Sequence, residues 1–448
     1  MRYPWLITSS LIFTLNIALP CAAQSKIEEM EKFVASFVSS QQFMGTVLVA
    51  QGNDIILNKG YGSANVEWNI PNAPTTKFRL GSITKQFTAA SILLLEQQGK
   101  LKTTELLKKH FPDIPTAWDK ITIFNLVTHS SGIPELSNFP EFEALRLSPT
   151  TPEKTIAIFR DKPLDFKPGE KYSYSNSGYI LLGALIEKLS GKTYEHFTQE
   201  NIFIPLKMNN SGYDSNTDII MYRAAGYTPN AQGKGNAGFE DMSLPYAAGG
   251  LYSTTEDLLK WEHALFSGGV LSKASLKKML TPYKSDYGFG IGISKDKDRT
   301  IIHHTGELKG FTTSLAYYPE TKTTVIVLAN LNGDAPEAIS AALGAIVHGE
   351  KVVLNADRKE INVPTEILKK YLGTYQVFAN VTLTITLADN HLISQITDQI
   401  PVPLLAESES LFFVKDAEAQ IEFVEDEKHK ITHAVVHQSG ENIQAPKL

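Results

Sequence analysis

The sequence predicts an α/β (α+β) protein, with an antiparallel sheet flanked by helices in one domain and a small C-terminal β-barrel in a second. Three observations lead there. The chain has 448 residues, more than one hydrophobic core usually serves. β-rich runs stand near both ends of the stretch before residue 349, with a long, mostly helical middle between them. Beyond Leu368 the texture changes to short alternating runs separated by turn residues.

Taken in order, the chain begins with the pattern of a secretory leader. Arg2 supplies the positive end, Trp5 to Leu19 the apolar stretch, and Cys21-Ala22-Ala23 the small residues before Gln24. A buried N-terminal helix is the competing reading, but Pro20 would break it and the run is short for a bilayer span. Residues 1–23 are therefore expected to be removed near Ala23, placing the mature chain in the periplasm or outside the cell. Pro20 directly before Cys21 is a poor fit to a lipoprotein site. Removal takes away the only cysteine, so neither a disulfide frame nor a thiol nucleophile is expected.

Ile27 to Val38 has helical spacing, and Gly45 to Ala50 with Ile55 to Lys59 form a hairpin pattern around Gly52-Asn53. Strand character returns at Ser314 to Tyr318 and Thr323 to Ala329, and Pro336 to Val347 reads as a closing helix. Strands at both ends imply one sheet that joins the two ends of a domain spanning 24–348. Residues 349–363 are polar and aperiodic, and read as a linker. From 364 to 448, runs at Thr374 to Val377, Val381 to Leu387, Leu392 to Ile396, Leu411 to Val414, Ile421 to Val424 and Ile431 to Val436 predict the barrel.

Composition narrows the function. At 42% hydrophobic, 20% charged and a formal charge of −6, the chain reads as an ordinary globular protein. No basic stripe suggests a nucleic-acid partner. No H-E-x-x-H is present, and His429, His433 and His437 would be spread over about 13 Å of strand, so no metal or other cofactor is expected. The partner is expected to be a small-molecule or peptide substrate, with no membrane span after leader removal and with room left for a homo-oligomer.

The chemistry is expected at Gly81-Ser82-Ile83-Thr84-Lys85, which opens a helical stretch with Ile83, Phe87, Ala90 and Leu94 on one stripe and Gly99 as its stop. Ser82 and Lys85 share a face, and a serine at a helix start sits where the dipole favours developing negative charge. A lysine serves as base only if its pKa falls well below about 10.4. Ser-x-x-Lys also occurs at Ser275/Lys278 and Ser294/Lys297, where an N-cap serine with a surface lysine is the expected explanation. No G-x-S-x-G is present to favour an α/β-hydrolase.

Two further segments separate the first match from the others: Tyr174-Ser175-Asn176, and His304-Thr305-Gly306 leading into the strand at Ser314. In this order they resemble the S-x-x-K, Y-x-N and K/H-T-G elements of the serine β-lactamase and penicillin-binding-protein superfamily. The class C-like branch of D-alanyl-D-alanine carboxypeptidases, D-aminopeptidases and esterases is the most similar. Leu126-Val127-Thr128-His129-Ser130-Ser131-Gly132 and Ala248-Gly249-Gly250-Leu251 add to the likeness, which runs from about Gly45 to His348. Tyr371-Leu372-Gly373-Thr374-Tyr375 is similar to the opening strand of the lipocalin-like barrels appended to some of these hydrolases.

The resemblance implies that Ser82 is acylated, Lys85 shuttles its proton, and Tyr174 shares the shuttle with its phenol held anionic or hydrogen-bonded by Lys85. Asn176 would bind substrate and steady Lys85. His304, Thr305 and Gly306 would line the substrate strand, and the N–H groups of Ser82 and Glu307 would form an oxyanion hole. Two residues depart from the β-lactamase pattern. His304 stands where lysine is usual, and Glu307 adds a carboxylate, so esters or peptides with a free amino end fit better than carboxylate-bearing β-lactams. His129 reads as structural. The expectation is an exported serine hydrolase cleaving D-amino-acid-containing peptide or ester bonds. A β-lactamase and a non-catalytic penicillin-binding sensor are the alternatives.

Overall fold

The computed structural model describes residues 21–230, 233–353, 357–378, 380–397, 399–414, 419–438 and 441–448. The expected leader lies outside them, apart from its last three residues, whose backbone opens the first helix, α1 (Cys21–Ser39). Among the described residues no helix is long and apolar enough to cross a membrane.

β1 (Gly45–Gln51) and β2 (Asp54–Tyr61) form the expected hairpin, with Gly52 at a φ of 58° in the turn. The helical middle supplies α2 (Thr84–Gln97), α3 (Asn176–Ser190) and α4 (Thr255–Ser267). Four strands follow: β3 (Gly292–Asp296), β4 (Arg299–Leu308), β5 (Phe311–Tyr318) and β6 (Thr323–Ala329). α5 (Ala335–Val347) closes the domain. The sheet runs β3-β4-β5-β6-β1-β2, antiparallel throughout, and pairing Gly45 with Ala329 joins the two ends of the domain.

Both faces of this sheet are covered, so the central strands are apolar on both sides instead of alternating. Val47, Val49, Val325 and Val327 pack against α1 and α5 through Phe33, Val34, Ile339 and Leu343. Leu48, Ala50, Ile326 and Leu328 belong to the larger core around α2, α3 and α4.

The expected one-sided stripe on α2 is not what forms. Every residue from Thr84 to Leu93 is buried, and Leu94 only partly so. A helix enclosed on all sides must find partners for its polar side chains. Thr88 Oγ1 donates to the Ala247 carbonyl (2.7 Å), and Gln86 Oε1 accepts from Trp261 Nε1 (2.9 Å). Gly99, at a φ of 72°, ends the helix as anticipated.

The C-terminal unit is an eight-stranded antiparallel meander in sequence order, β7 (Gly373–Phe378) to β14 (Glu441–Pro446). It is nearly closed: Tyr375 bridges to Lys447, and the Leu448 N–H donates to the Thr374 carbonyl (2.9 Å). Six strands were expected and two more form, Val402–Ala406 and Glu441–Pro446. Pro403 and the polar run Glu441-Asn442 mask them in the sequence, yet Leu404 and Ala445 are buried in the barrel core. Of the residues read as linker, Val352 packs against the first domain and Val363 lies in the barrel core.

Candidate active site

Ser82 lies in a single 3-10 turn, Gly81–Ile83, immediately before α2 rather than inside it. β3 pairs with β4 only up to His303, leaving His304–Leu308 uncovered on that side. This uncovered edge lies across Ser82 at backbone distance. A Cβ on Gly306 would come within 2.9 Å of the Ser82 nitrogen, and one on Gly81 within 2.6 Å of the Glu307 nitrogen. Gly81 also holds a φ of 55°, so glycine is needed there twice over. Thr313 Oγ1, on the neighbouring β5, donates to the Leu80 carbonyl (2.8 Å) and pins the turn to the sheet.

Lys85, one residue into α2, is fully buried. Its Nζ donates to Ser82 Oγ (2.8 Å), Asn176 Oδ1 (2.8 Å) and the Ala248 carbonyl (2.9 Å). The three acceptors match the three protons of an ammonium, yet none is a carboxylate. Burial therefore dominates and lowers the pKa to about 7, against the opposing pull of Glu135. The tuning that the Ser-x-x-Lys reading demanded comes from the packing of α2.

Asn176 opens α3. The usual cap position, Ser175, makes no side-chain capping bond. Glu135 caps the helix from a distant loop instead: Oε2 accepts from the Asn176 N–H (2.5 Å) and Oε1 from Asn176 Nδ2 (2.9 Å). A carboxylate at a helix N-terminus is favoured by the dipole. Here it also decides how the Asn176 amide is turned, because a carboxylate accepts only from Nδ2 and leaves Oδ1 for Lys85. Glu135 was missed in the sequence. It directly follows the turn cluster Ser130 to Pro134, but no spacing marks it.

Tyr174 corrects an expectation. Its hydroxyl does not bond Lys85, whose ammonium lies 4.8 Å from the centre of the Tyr174 ring. Nor is the phenol inclined to ionise, since burial raises its pKa and outweighs the lowering influence of Ser82. The hydroxyl oxygen is buried without a hydrogen-bond partner of normal geometry among the described residues.

His304 is buried and neutral. Nε2 meets the Tyr287 hydroxyl (2.9 Å) and Nδ1 lies 2.6 Å from the Thr305 carbonyl. Burial, helped by Lys85, lowers its pKa to about 3. Ser82, Tyr174 and the strand His304-Thr305-Gly306-Glu307 line a cleft of about 290 Å³. Asp334 and Glu337, at the start of α5, complete one wall and had not been expected. Lys309, the first cation beyond this strand, is not among the lining residues, and its backbone N–H donates to Glu240 Oε2 (3.5 Å).

The other two Ser-x-x-Lys matches are structural, though neither serine is an N-cap. Ser275 lies inside the helix Lys273–Met279, which Ser272 caps, and Ser294 lies on β3. Lys278 pairs with Glu96 and Lys297 with Glu350. Among the described residues no group of three His, Cys, Asp or Glu side chains is placed to hold a metal.

The Beta-lactamase family model matches residues 30–349, and the family described as Domain of unknown function (DUF3471) matches residues 357–445. Penicillin-binding protein 4* of Bacillus subtilis is 28% identical over 429 residues, covering 89% of this chain and 94% of its own. The octameric penicillin-binding protein homologue from Pyrococcus abyssi is 28% identical with a TM-score of 0.67, over 94% of this chain and 100% of its own. The D-amino acid amidase of Ochrobactrum anthropi, solved with L-phenylalanine amide, shares the fold at 23% identity and a TM-score of 0.62, over 72% of this chain and 96% of its own.

Proposed function

The chain belongs to the Beta-lactamase family, and we propose that it is an exported serine hydrolase working through an acyl-enzyme on Ser82. The observation that carries this is the fully buried Lys85, with a pKa near 7, hydrogen-bonded to Ser82. Near neutrality a large share of such lysines are unprotonated, and the amine then accepts the hydroxyl proton as Ser82 Oγ attacks a carbonyl carbon. The Ser82 and Glu307 N–H groups stabilise the resulting oxyanion. The proton passes to the leaving amine or alcohol through the neutral Tyr174 hydroxyl, which is better suited to relay a proton than a phenolate held by Lys85. Water then releases the acid by the same route in reverse.

The substrates are D-amino-acid-containing peptides or esters. Neutral His304 offers no fixed charge for a carboxylate, and the cleft carries Glu307, Asp334 and Glu337 instead. These carboxylates favour a substrate with a free ammonium and repel one with a carboxylate. We assign catalysis to residues 24–348, treat 364–448 as an accessory barrel, and place the mature protein in the periplasm or outside the cell. The octameric relative supports a homo-oligomer.

The penicillin-binding relative favours one other reading, a module that penicillins acylate and that releases them slowly. One experiment separates the two: fluorophosphonate and labelled-penicillin trapping followed by intact mass, with kcat/KM for a nitrophenyl ester, a D-aminoacyl anilide and nitrocefin. A Ser82 adduct that turns over, with the ester or anilide preferred, supports the hydrolase. A persistent penicillin adduct without turnover of the other two supports the sensor. No adduct at Ser82 overturns both.

A further inference from the structure

The Tyr174 hydroxyl has no bond of normal geometry among the described residues. The neighbours of Tyr174 in sequence, by contrast, are both held by one residue from another loop. The main-chain carbonyl of His129 accepts from the Ser173 N–H (2.9 Å). The imidazole Nδ1 of the same residue accepts from the Ser175 N–H (3.0 Å). Between these two bonds the His129 ring lies against the Tyr174 ring, with centroids 4.3 Å apart and planes inclined at 34°. Tyr179 and Tyr287 close around the other sides of the imidazole at 5.0 and 4.8 Å.

Two features show that this arrangement is demanding. His129 holds a φ of 52°, an uncommon conformation for a residue with a side chain. The proton of the neutral ring must also reside on Nε2, because Nδ1 is the acceptor, and that buried Nε2 has no partner among the described residues. A strained backbone and an unpaired N–H each cost stability, so a side chain that packed equally well without them would be the more stable choice. The ring is nevertheless kept in the accepting state, since burial, aided by nearby Lys85, holds its pKa well below the usual histidine value.

We propose that His129 is a positioning residue for the reaction: it clamps the backbone on both sides of Tyr174 and stacks on its ring, fixing the phenol hydroxyl over Ser82. It touches neither substrate nor the reacting atoms. This rests on the reading of Ser82, Lys85 and Tyr174 as the reacting group.

The test uses the full-length protein and a nitrophenyl ester, with each variant normalised by fluorophosphonate titration of its active sites. Wild type is labelled first. If Ser82 does not label, the functional reading fails and the clamp has no reaction to serve. If it labels, His129→Leu, which removes the acceptor, should lower kcat about a hundredfold while KM stays within about threefold. His129→Asn should keep kcat within about tenfold of wild type, because Asn tolerates a positive φ and offers Oδ1 near the place of Nδ1. In a Tyr174→Phe background, His129→Leu should cost less than about threefold more, as expected for groups acting as one unit. A folded His129→Leu enzyme with wild-type kcat would overturn the proposal, as would a loss that multiplies fully in the Tyr174→Phe background. Should the leucine variant not fold, His129→Asn decides alone, and a hundredfold loss there overturns the clamp.

Discussion

Lys85 and Lys278 each stand three residues after a serine on a helical turn, and the two regions around them could hardly differ more. Lys278 is 40% exposed, pairs with Glu96 (2.7 Å) and also reaches Thr103 Oγ1 (3.3 Å). Lys85 has no exposure, and all three of its acceptors are neutral oxygens. A carboxylate in direct contact would stabilise the ammonium and leave a poor base, whereas neutral acceptors in a desolvated site hold the amine in place while burial pulls its pKa down. Glu135 stands one residue removed, touching Asn176 and not Lys85, so its charge moderates the shift without cancelling it. Spacing brings a serine and a lysine together; surroundings decide whether the lysine can take a proton.

The contrast breaks most visibly at the serines. Ser82→Ala should lower kcat by at least about three orders of magnitude, on the scale seen when a serine nucleophile is lost, while Ser275→Ala leaves kcat unchanged. The fold should survive Ser82→Ala at a cost of about 1–3 kcal/mol, the scale of leaving one Lys85 N–H without its acceptor, and circular dichroism with thermal unfolding checks this. Ester turnover near wild type in Ser82→Ala would end the assignment.

The next largest effect concerns the relay. Lys85→Ala and Tyr174→Phe should each slow acylation by roughly two to four orders of magnitude, with the double variant little worse than the more damaged single. Stopped-flow measurement of the acylation step checks this, and fully multiplicative losses would place the two residues in separate steps.

Acidity sharpens the comparison further. The lysine must be neutral to act as base, so kcat/KM should rise with pH through about 7 and fall away as Lys85 is protonated below it. His304, with a pKa near 3, should contribute nothing to that limb. Because the Glu135 charge raises the Lys85 pKa, Glu135→Gln should move the limb to lower pH, by about one unit, besides lowering the rate through a less well held Asn176. A limb that stays in place or moves upward in a pH profile from 5 to 10 would contradict the electrostatic role.

The smallest effect is expected at the comparison lysine. Lys278→Ala should leave every kinetic constant unchanged and cost about 0.5 kcal/mol, the scale of a partly exposed ion pair, read from denaturant unfolding.

Much of this could be read from the chain before any coordinates. Strand-forming runs and turn residues placed the hairpin, β5 and β6, and helical spacing placed α5, because β-rich composition, glycine turns and helical periodicity are local properties. The ordered segments at Ser82, Tyr174 and His304 named residues that the fold draws around one cleft. Where the reading failed, the signal was not local. The strand Val402–Ala406 contains Pro403, and α2 was read as one-sided because a sequence does not reveal how many distant segments enclose a helix. Glu135, Asp334 and Glu337 carry no spacing that ties them to Ser82.

The amino-acid order by itself determined most of the elements, their succession and the nearness of Ser82 to Lys85 three residues on, since these follow from steric and hydrophobic periodicities a few residues long. Tertiary structure alone decided that Lys85 is desolvated among neutral acceptors while Lys278 faces a carboxylate, how the Asn176 amide is turned, and that burial raises the Tyr174 pKa and lowers that of His304. Each of these is a matter of desolvation and of contacts between segments 40 to 160 residues apart. The free energy of a charge depends on every atom that displaces water around it, and that count exists only once the chain has folded.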